Sequence, residues 1–221
     1  MSGYRKIGVL ISGRGSNLAA LIEACQTPDY PAEIAVVISN RPGAPGLQFA
    51  ESAGIPTQVI DHKHFASRTD FDRALDDALR AAGAELVCNA GFMRLLTPEF
   101  VQLWRDRQLN IHPSLLPAFR GLDTHERAIA SGVRISGCTV HFVRAEMDEG
   151  PIVAQAAVPV LPGDDAEALA ARVLRAEHQL YPWAVRLVAS GAAWVEDDRV
   201  VYAPDVPQPE GVTLFAPLPG H

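Results

Sequence analysis

The sequence predicts an α/β protein: a mostly parallel, open, twisted sheet with helices on both faces and an antiparallel addition toward the C-terminal part. Three observations predict it. Short β-rich apolar runs alternate with segments of helical periodicity. The connections between them are short, as parallel strand–helix–strand units require. Beyond residue 135 the alternation stops, and two strand-like runs face each other across a turn-rich loop.

The elements follow in order. Residues 6–11 form the first apolar run, and residues 17–25 continue with helical spacing. Residues 34–39 are the second strand. The helix at 45–53 has Pro45 near its first turn and Gly54 just past its end, the usual placement of these two residues. Residues 57–60 are a strand. The helix at 67–82 opens on Ser67-x-x-Asp70, close to a capping box, and ends at Gly83. Residues 86–89 are a strand, and 97–104 a helix capped by Thr97 with Pro98 at its first position. A short strand at 109–111 follows. The runs at 136–143 and 152–160 are the antiparallel pair. Residues 165–190 are one long helical pattern, expected to kink or split near Pro182. Residues 194–196 and 200–202 flank Asp197-Asp198 as a hairpin. No repeat or separating linker interrupts the chain, so one domain is expected over 1–203, followed by a proline-rich tail at 204–221.

Composition bounds the function. At 221 residues, 48% hydrophobic and 20% charged, the chain is ordinary globular material with enough surface to bury a core. The apolar run at 6–11 is broken by Ser12 and Gly13, too soon for a signal peptide. No stretch reaches the ~20 apolar residues of a membrane span. Cys25, Cys88 and Cys138 are odd in number and far apart, matching neither a disulfide framework nor zinc spacing. They read as buried thiols, and the protein as cytoplasmic and without a metal. A net charge of −7 argues against a nucleic-acid partner, and an anionic substrate would need a local device to overcome it.

The segment Ile11-Ser12-Gly13-Arg14-Gly15-Ser16-Asn17 is one such device. It follows the first strand and opens the first helix, where backbone N–H groups and the helix dipole favour an anion. It is neither a dinucleotide fingerprint, since position 18 is Leu18, nor a P-loop. Alone it equally fits a tight turn with a Ser or Asn cap; its place after the first strand of an open parallel sheet raises the ligand reading.

Leu109 to Pro117 (LNIHPSLLP) is the most unusual stretch. Strand alternation puts Asn110 and His112 on one face and turns Ile111 away. An amide beside an imidazole suits a carbonyl oxygen that gains negative charge, and His112 could carry protons near neutral pH. Asp148 lies on a loop that could return to the same edge and orient the imidazole. Ser114 lacks a base at motif spacing and reads as structural. His141 reads as a satisfied structural histidine, and His62 and His64 as solvated loop residues. For Glu177 and His178 on the long helix, an exposed face is the default.

ISGRGSNL at 11–18, NAGFMRLL at 89–96, LNIHPSLLP, GLDTHERA at 121–128, GCTVHFV at 137–143, MDEGP at 147–151 and EHQLYP at 177–182 together closely resemble the glycinamide ribonucleotide formyltransferases. The resemblance spans almost the whole chain. LNIHPSLLP marks the wider formyltransferase superfamily, and its combination with GRGSN is far more specific. It implies a Rossmann-like formyltransferase fold and two small-molecule substrates: 10-formyltetrahydrofolate as co-substrate and 5-phosphoribosylglycinamide as acceptor. It further implies that Gly15, Ser16 and Asn17 hold the ribose phosphate and that Glu177 meets the glycinamide or ribose end. Arg68, Met93, Arg94, Leu95, Leu96, Asn110, Val143 and Met147 would bind the folate, partly through backbone groups, with residues 143–148 closing around the pterin. Asn110, His112 and Asp148 would be catalytic. Asp123 stands where some family members have histidine, which weakens any catalytic role there.

Three other readings compete. A formyltetrahydrofolate deformylase would share LNIHPSLLP but normally carries an N-terminal regulatory domain, for which there is no room before Lys6, and lacks GRGSN. A methionyl-tRNA formyltransferase would carry a C-terminal RNA-binding domain where this chain has a short tail. A sugar-phosphate-binding module would not need Asn110, His112 and Asp148. Monomer and homodimer remain equally open from the sequence.

Overall fold

A computed structural model describes residues 4–211, 213 and 216. Nine strands and six helices are found among them. In chain order they are β1 (Arg5–Ile11), α1 (Ser16–Cys25), β2 (Ala32–Ser39), α2 (Gly46–Ser52), β3 (Thr57–Val59), a 3₁₀ turn (His62–His64), α3 (Arg68–Ala81), β4 (Leu86–Asn89), α4 (Pro98–Leu103), β5 (Gln108–His112), α5 (Thr124–Ala130), β6 (Ile135–Phe142), β7 (Ile152–Pro159), α6 (Ala166–Ala189), β8 (Ala193–Glu196) and β9 (Arg199–Tyr202). The expected tail overlaps this description only at 204–211, 213 and 216, where no helix or strand forms; its remaining residues lie outside the described ones.

Seven strands form one sheet in the order β3-β2-β1-β4-β5-β6-β7. β1 to β5 run parallel, and β6 and β7 add antiparallel at one side, as the sequence predicts. β8 and β9 pair as a separate antiparallel hairpin. Helices cover both faces. On one, α1, α2 and α6 bury Leu18, Leu21, Leu47, Leu169, Tyr181 and Val185 against Ile7, Val9, Leu109 and Val140. On the other, Phe71, Leu75 and Leu79 of α3 and Phe100 of α4 bury Leu10, Ile38 and Val87. The buried strands are near-continuous apolar runs, because both sheet faces are covered.

Local chemistry explains the helix starts. Ser67 accepts from Asp70 N at 3.1 Å and also donates to the Asp70 carboxylate, close to the expected capping box. Thr97 accepts from Phe100 N at 3.3 Å, ahead of Pro98. The expected split does not occur: α6 is a single helix of 24 residues with Pro182 inside it. Packing of its buried face along the sheet holds it together, and the Pro182 carbonyl accepts from the Tyr30 hydroxyl at 2.7 Å. The α5 helix was not anticipated; its opening Asp123 has φ 55°, a left-handed conformation that offers no capping side chain.

Gly137, midway along β6, shows how closely the antiparallel addition is built. A Cβ there would overlap the Ala156 carbonyl oxygen and come within 2.9 Å of Leu115 Cδ2. We expect Gly137→Ala to destabilise the fold by roughly 1–3 kcal/mol, the scale of overpacking a rigid site, seen as a lower denaturant midpoint. An unchanged midpoint would mean that β7 can move away from β6 freely.

Candidate active site

The strand order reverses between β1 and β4, which opens a crevice at their carboxyl ends. The glycine loop leaves β1 here, and residues 91–96 leave β4. The two are tied together: Ser12 N donates to the Gly91 carbonyl at 3.2 Å, and the Ser12 hydroxyl accepts from Met93 N at 2.8 Å while donating to Asn40.

Gly15 precedes α1 with φ 76°. A Cβ there would lie 2.5 Å from Gly46 Cα, and Gly46 N donates to the Gly13 carbonyl at 3.0 Å. The turn therefore needs glycine both for its left-handed backbone and for its contact with the start of α2. The first intrahelical bond runs from Ala19 N to the Gly15 carbonyl, so the amides of Ser16, Asn17 and Leu18 point outward from the helix start. No side-chain cap forms here, so the tight-turn-with-cap alternative is not what the loop does.

Asn17 and Glu177, 160 residues apart, meet behind this loop. Asn17 Nδ2 donates to Glu177 Oε2 at 2.8 Å, and both residues are more than nine-tenths buried. The default of an exposed Glu177 is therefore wrong, because α6 turns this residue into the sheet face rather than toward solvent. His178 is half-buried, and burial holds its pKa down. Burial likewise pushes the Glu177 carboxyl above its ordinary range, only partly offset by the Asn17 hydrogen bond. Asn17 Oδ1 is buried with no protein partner.

The second cluster stands on β5 and β6. Antiparallel register sets Asn110 opposite His141 and His112 opposite Thr139. Leu109 and Ile111 alternate with them and face the α6 core, as predicted. Asn110 Nδ2 lies 3.2 Å from His141 Nε2, and His141 Nδ1 lies 3.0 Å from the Phe142 carbonyl. These partners fix the tautomer: Nδ1 donates to the carbonyl, and Nε2 accepts from the Asn110 amide. Burial lowers the pKa of His141, which keeps it neutral.

His112 Nδ1 lies 3.5 Å from Asp148 Oδ2, and its Nε2 lies 3.0 Å from the Phe119 carbonyl. Asp148, at φ 57°, accepts from Gly121 N at 2.8 Å, and its other oxygen is 3.7 Å from His141 Nε2. The loop after β6 does return to β5, and Asn110, His112 and Asp148 come together. His141, read as merely structural, touches two of the three. Its signal in the sequence was its strand parity: it alternates with buried Val140 and Phe142 and so shares the polar face.

Ser114 donates to the Ala118 carbonyl at 2.6 Å and is buried, which fits a structural brace. Thr139 and Gln155 hold the same loop from β6 and β7, through Leu116 N and the Leu116 and Ser114 carbonyls. His64 is exposed as expected. His62 is not freely solvated: its Nδ1 sits 3.0 Å from the Asn40 carbonyl, because the 3₁₀ turn folds back on the end of β2.

The residues expected to bind the folate differ in exposure. Met93 and Leu95 are exposed at 63% and 58%, and Met147 at 53%. Leu96 packs partly against the α3 core. Arg94 lies over the Phe71 ring at 5.0 Å, with a buried Nε that has no partner. Arg68 is exposed at the first turn of α3. Asp72, buried beneath, accepts from Thr97 N at 2.6 Å and so secures the end of the 93–96 segment. Val143 is half-buried, its amide donating to the Gln108 carbonyl. Among the described residues no group of three or more His, Cys, Asp or Glu could hold a metal ion, and no helix is long and apolar enough to cross a membrane.

The chain is similar to known proteins over most of its length. The formyl transferase family matches residues 5–185. The phosphoribosylglycinamide formyltransferase of Haemophilus influenzae is 45% identical over 194 residues, 88% of this chain and 92% of that one. The trifunctional purine biosynthetic protein adenosine-3 of Gallus gallus is 54% identical over 190 residues, 86% of this chain; the chain spans only 19% of that protein's length. The crystal structure of glycinamide ribonucleotide transformylase 1 from Symbiobacterium toebii is 50% identical, with a TM-score of 0.88 over 90% of this chain and 94% of that one.

The raised Glu177 pKa makes a prediction about stability. Above its ordinary value of 4.5 the unfolded chain releases this proton while the folded chain keeps it, so stability from this group falls as pH rises through that window. Glu177→Gln should therefore raise the thermal midpoint at neutral pH, with the gain shrinking toward pH 4.5. A midpoint gain independent of pH would assign the effect to packing instead.

Proposed function

The chain belongs to the formyl transferase family, and on that premise we propose that it transfers the formyl group of 10-formyltetrahydrofolate to the amine of 5-phosphoribosylglycinamide in de novo purine (IMP) biosynthesis. The observation that carries the reading is the convergence of Asn110, His112 and Asp148 on one sheet face, beside a helix N-terminus backed by Asn17 and Glu177. One cluster suits acyl chemistry, and the other suits an anionic acceptor.

Each group has a role that its geometry supports. The outward amides of Ser16 and Asn17 and the Gly15 turn bind the phosphate, where the α1 dipole opposes the net negative charge of the chain. Glu177 meets the glycinamide or ribose end of the acceptor. The acceptor amine attacks the formyl carbon, and the developing oxyanion is met by Asn110. One Asn110 N–H is used by His141 Nε2, which leaves the other free for the oxyanion. A donor placed this way contributes about 3–4 kcal/mol to the transition state.

His112 has carboxylate beside one nitrogen and carbonyl beside the other, so its ring orientation is fixed from both sides. Its Nε2–H donates to the oxyanion by exchanging the Phe119 carbonyl for it. Asp148 holds the opposing charge, orients the ring and relays a proton through water from the amine toward the folate nitrogen. No covalent enzyme intermediate is required.

The folate lies along residues 93–96 and 143–147. Exposed Met93, Leu95 and Met147 offer it apolar surface, and the segment 91–96 offers backbone groups beside Arg94. Arg68, exposed at the first turn of α3, suits its carboxylate tail. We read residues 1–203 as the catalytic domain and the protein as cytoplasmic, acting without a metal as a monomer or homodimer.

One assay separates the rivals: the protein is incubated with 10-formyltetrahydrofolate, with and without 5-phosphoribosylglycinamide. Amine-dependent turnover is expected. Formate release without the amine would support a deformylase, and no folate turnover would support a sugar-phosphate-binding module. His112→Ala and Asp148→Asn should each lower kcat by orders of magnitude with folding retained by circular dichroism; near-normal turnover would remove that residue from the catalytic set. Asn17→Ala should chiefly raise KM for the phosphorylated amine. A change confined to the folate KM would place the phosphate elsewhere.

A further inference from the structure

The loop carrying Asp148 is gripped from outside the formyl transferase match. Its root is closed by Phe142 N donating to the Pro151 carbonyl at 2.9 Å. The first side chain within it to point inward is Arg144, whose side chain is only 7% exposed. Its guanidinium is engaged on three sides. Nε and Nη2 donate to Asp198 Oδ1 at 2.9 and 2.8 Å, and Nη2 donates to Asp106 Oδ1 at 2.7 Å. Nη1 donates to its neighbouring Val143 carbonyl at 3.1 Å.

Both acceptors belong to tight turns. Asp106, in the α4–β5 connection, has φ 57°, and Asp198, in the β8–β9 turn, also has φ 57°. Asp198 lies beyond residue 185, where the family match ends. Arg144 holds the Asp198 carboxyl below its usual range through their hydrogen bond. Arg105 adds a third bond to the same oxygen at 3.2 Å. Further along the loop, Gly150 packs where a Cβ would overlap the Phe142 carbonyl oxygen and lie 3.3 Å from Arg144 Cγ. Toward the tip, the loop is held by Asp148 accepting from Gly121 N and by an exposed pair of Arg120 and Glu149.

We propose that Arg144 is a positioning residue for the reaction: it clamps the Asp148 loop between the α4–β5 turn and the C-terminal β8–β9 hairpin, so that the hairpin is part of the catalytic support. The inference rests on the formyl transfer reading, since it needs Asp148 to matter for turnover. Three features favour a clamp over a general surface ion pair. The cation is buried while its carboxylates are partly exposed, the guanidinium bridges two separate segments, and it sits four residues from the carboxylate that faces His112. Exposed ion pairs are worth little, but a planar fork buried among fixed acceptors has one geometry.

The choice of variant follows from the burial. Removing an aspartate would leave a buried cation short of an acceptor. Arg144→Gln instead leaves two carboxylates that water can reach, so it is the milder change for folding. Wild-type turnover is measured first. Its absence would strike at the functional reading rather than at the clamp.

With wild-type turnover established, Arg144→Gln should lower kcat about tenfold to a hundredfold, the scale of a displaced catalytic group. KM for the phosphorylated amine should stay close to wild type. Arg144→Lys should restore part of kcat, because an ammonium can reach one carboxylate. Amide hydrogen exchange at residues 145–150 should accelerate in Arg144→Gln while the β1 and β4 amides stay protected. Asp198→Asn, which keeps a residue tolerant of the left-handed turn, should fall between wild type and Arg144→Gln in kcat. Unchanged kcat in folded Arg144→Gln overturns the proposal. So does a loss of kcat matched by uniform exchange across the sheet, which would be a loss of general stability.

Discussion

The antiparallel pairing of β6 on β5 is the constraint on which the reaction edge depends. A parallel neighbour would leave the sheet through a crossover, carrying the next polar residues to the opposite face or the far end. The antiparallel strand instead runs back past the carboxyl end of β5 in register. It sets His141 directly against Asn110, and its exit loop delivers Asp148 to His112 within nine residues of Thr139, the partner of His112. Four polar side chains thus gather on a face whose reverse is apolar core. That reverse, with Leu109, Ile111, Val140 and Phe142 packed beneath α6, fixes the register, because a slip of one residue would turn the whole polar set inward.

The proposed phosphate side is built on a different principle. The groups proposed to bind there are backbone amides, and the Asn17 and Glu177 side chains lie behind them. Gly15 and Gly46 touch because neither has a Cβ, which draws the start of α1 against α2. Asn17 then faces inward rather than capping the helix, and its partner comes from α6. The Asn17–Glu177 bond joins the first helix to the last across the crevice. A carboxyl kept above its usual range by burial can be held neutral more readily than an exposed one, which limits the repulsion of a phosphorylated ligand by a chain of net charge −7. The stability given up there is a familiar cost of a binding site.

Much of this was legible from residues alone, for physical reasons. The strand–helix alternation reflects coverage of both sheet faces, so apolar runs and periodicity suffice to find β1 to β5 and the helices between. Asn110 and His112 share a face by parity. Proximities across the chain were less legible. That Asp148 reaches His112 depended on a turn geometry of positive φ, which an aspartate permits but does not announce. His141 was undervalued because its neighbours are apolar, and only the register shows what stands opposite it. Glu177 looked solvent-facing on a helical wheel that cannot tell which stripe meets the sheet in a helix buried along much of its length. Pro182 was expected to kink or split that helix, and tertiary packing keeps it from splitting.

The cluster also gives its two histidines different surroundings. Asp148 lies near both rings, 3.5 Å from His112 and 3.7 Å from His141. His141 is set up to stay neutral. Its Nδ1–H already serves the Phe142 carbonyl, its Nε2 must accept from Asn110, and burial disfavours its cation. Protonating it would expel the Asn110 amide from Nε2. His112 instead has an acceptor beside each ring nitrogen, the Phe119 carbonyl and the Asp148 carboxylate. The division of labour follows on the proposed reading: a neutral His141 aims Asn110, and Asp148 and the Phe119 carbonyl orient His112.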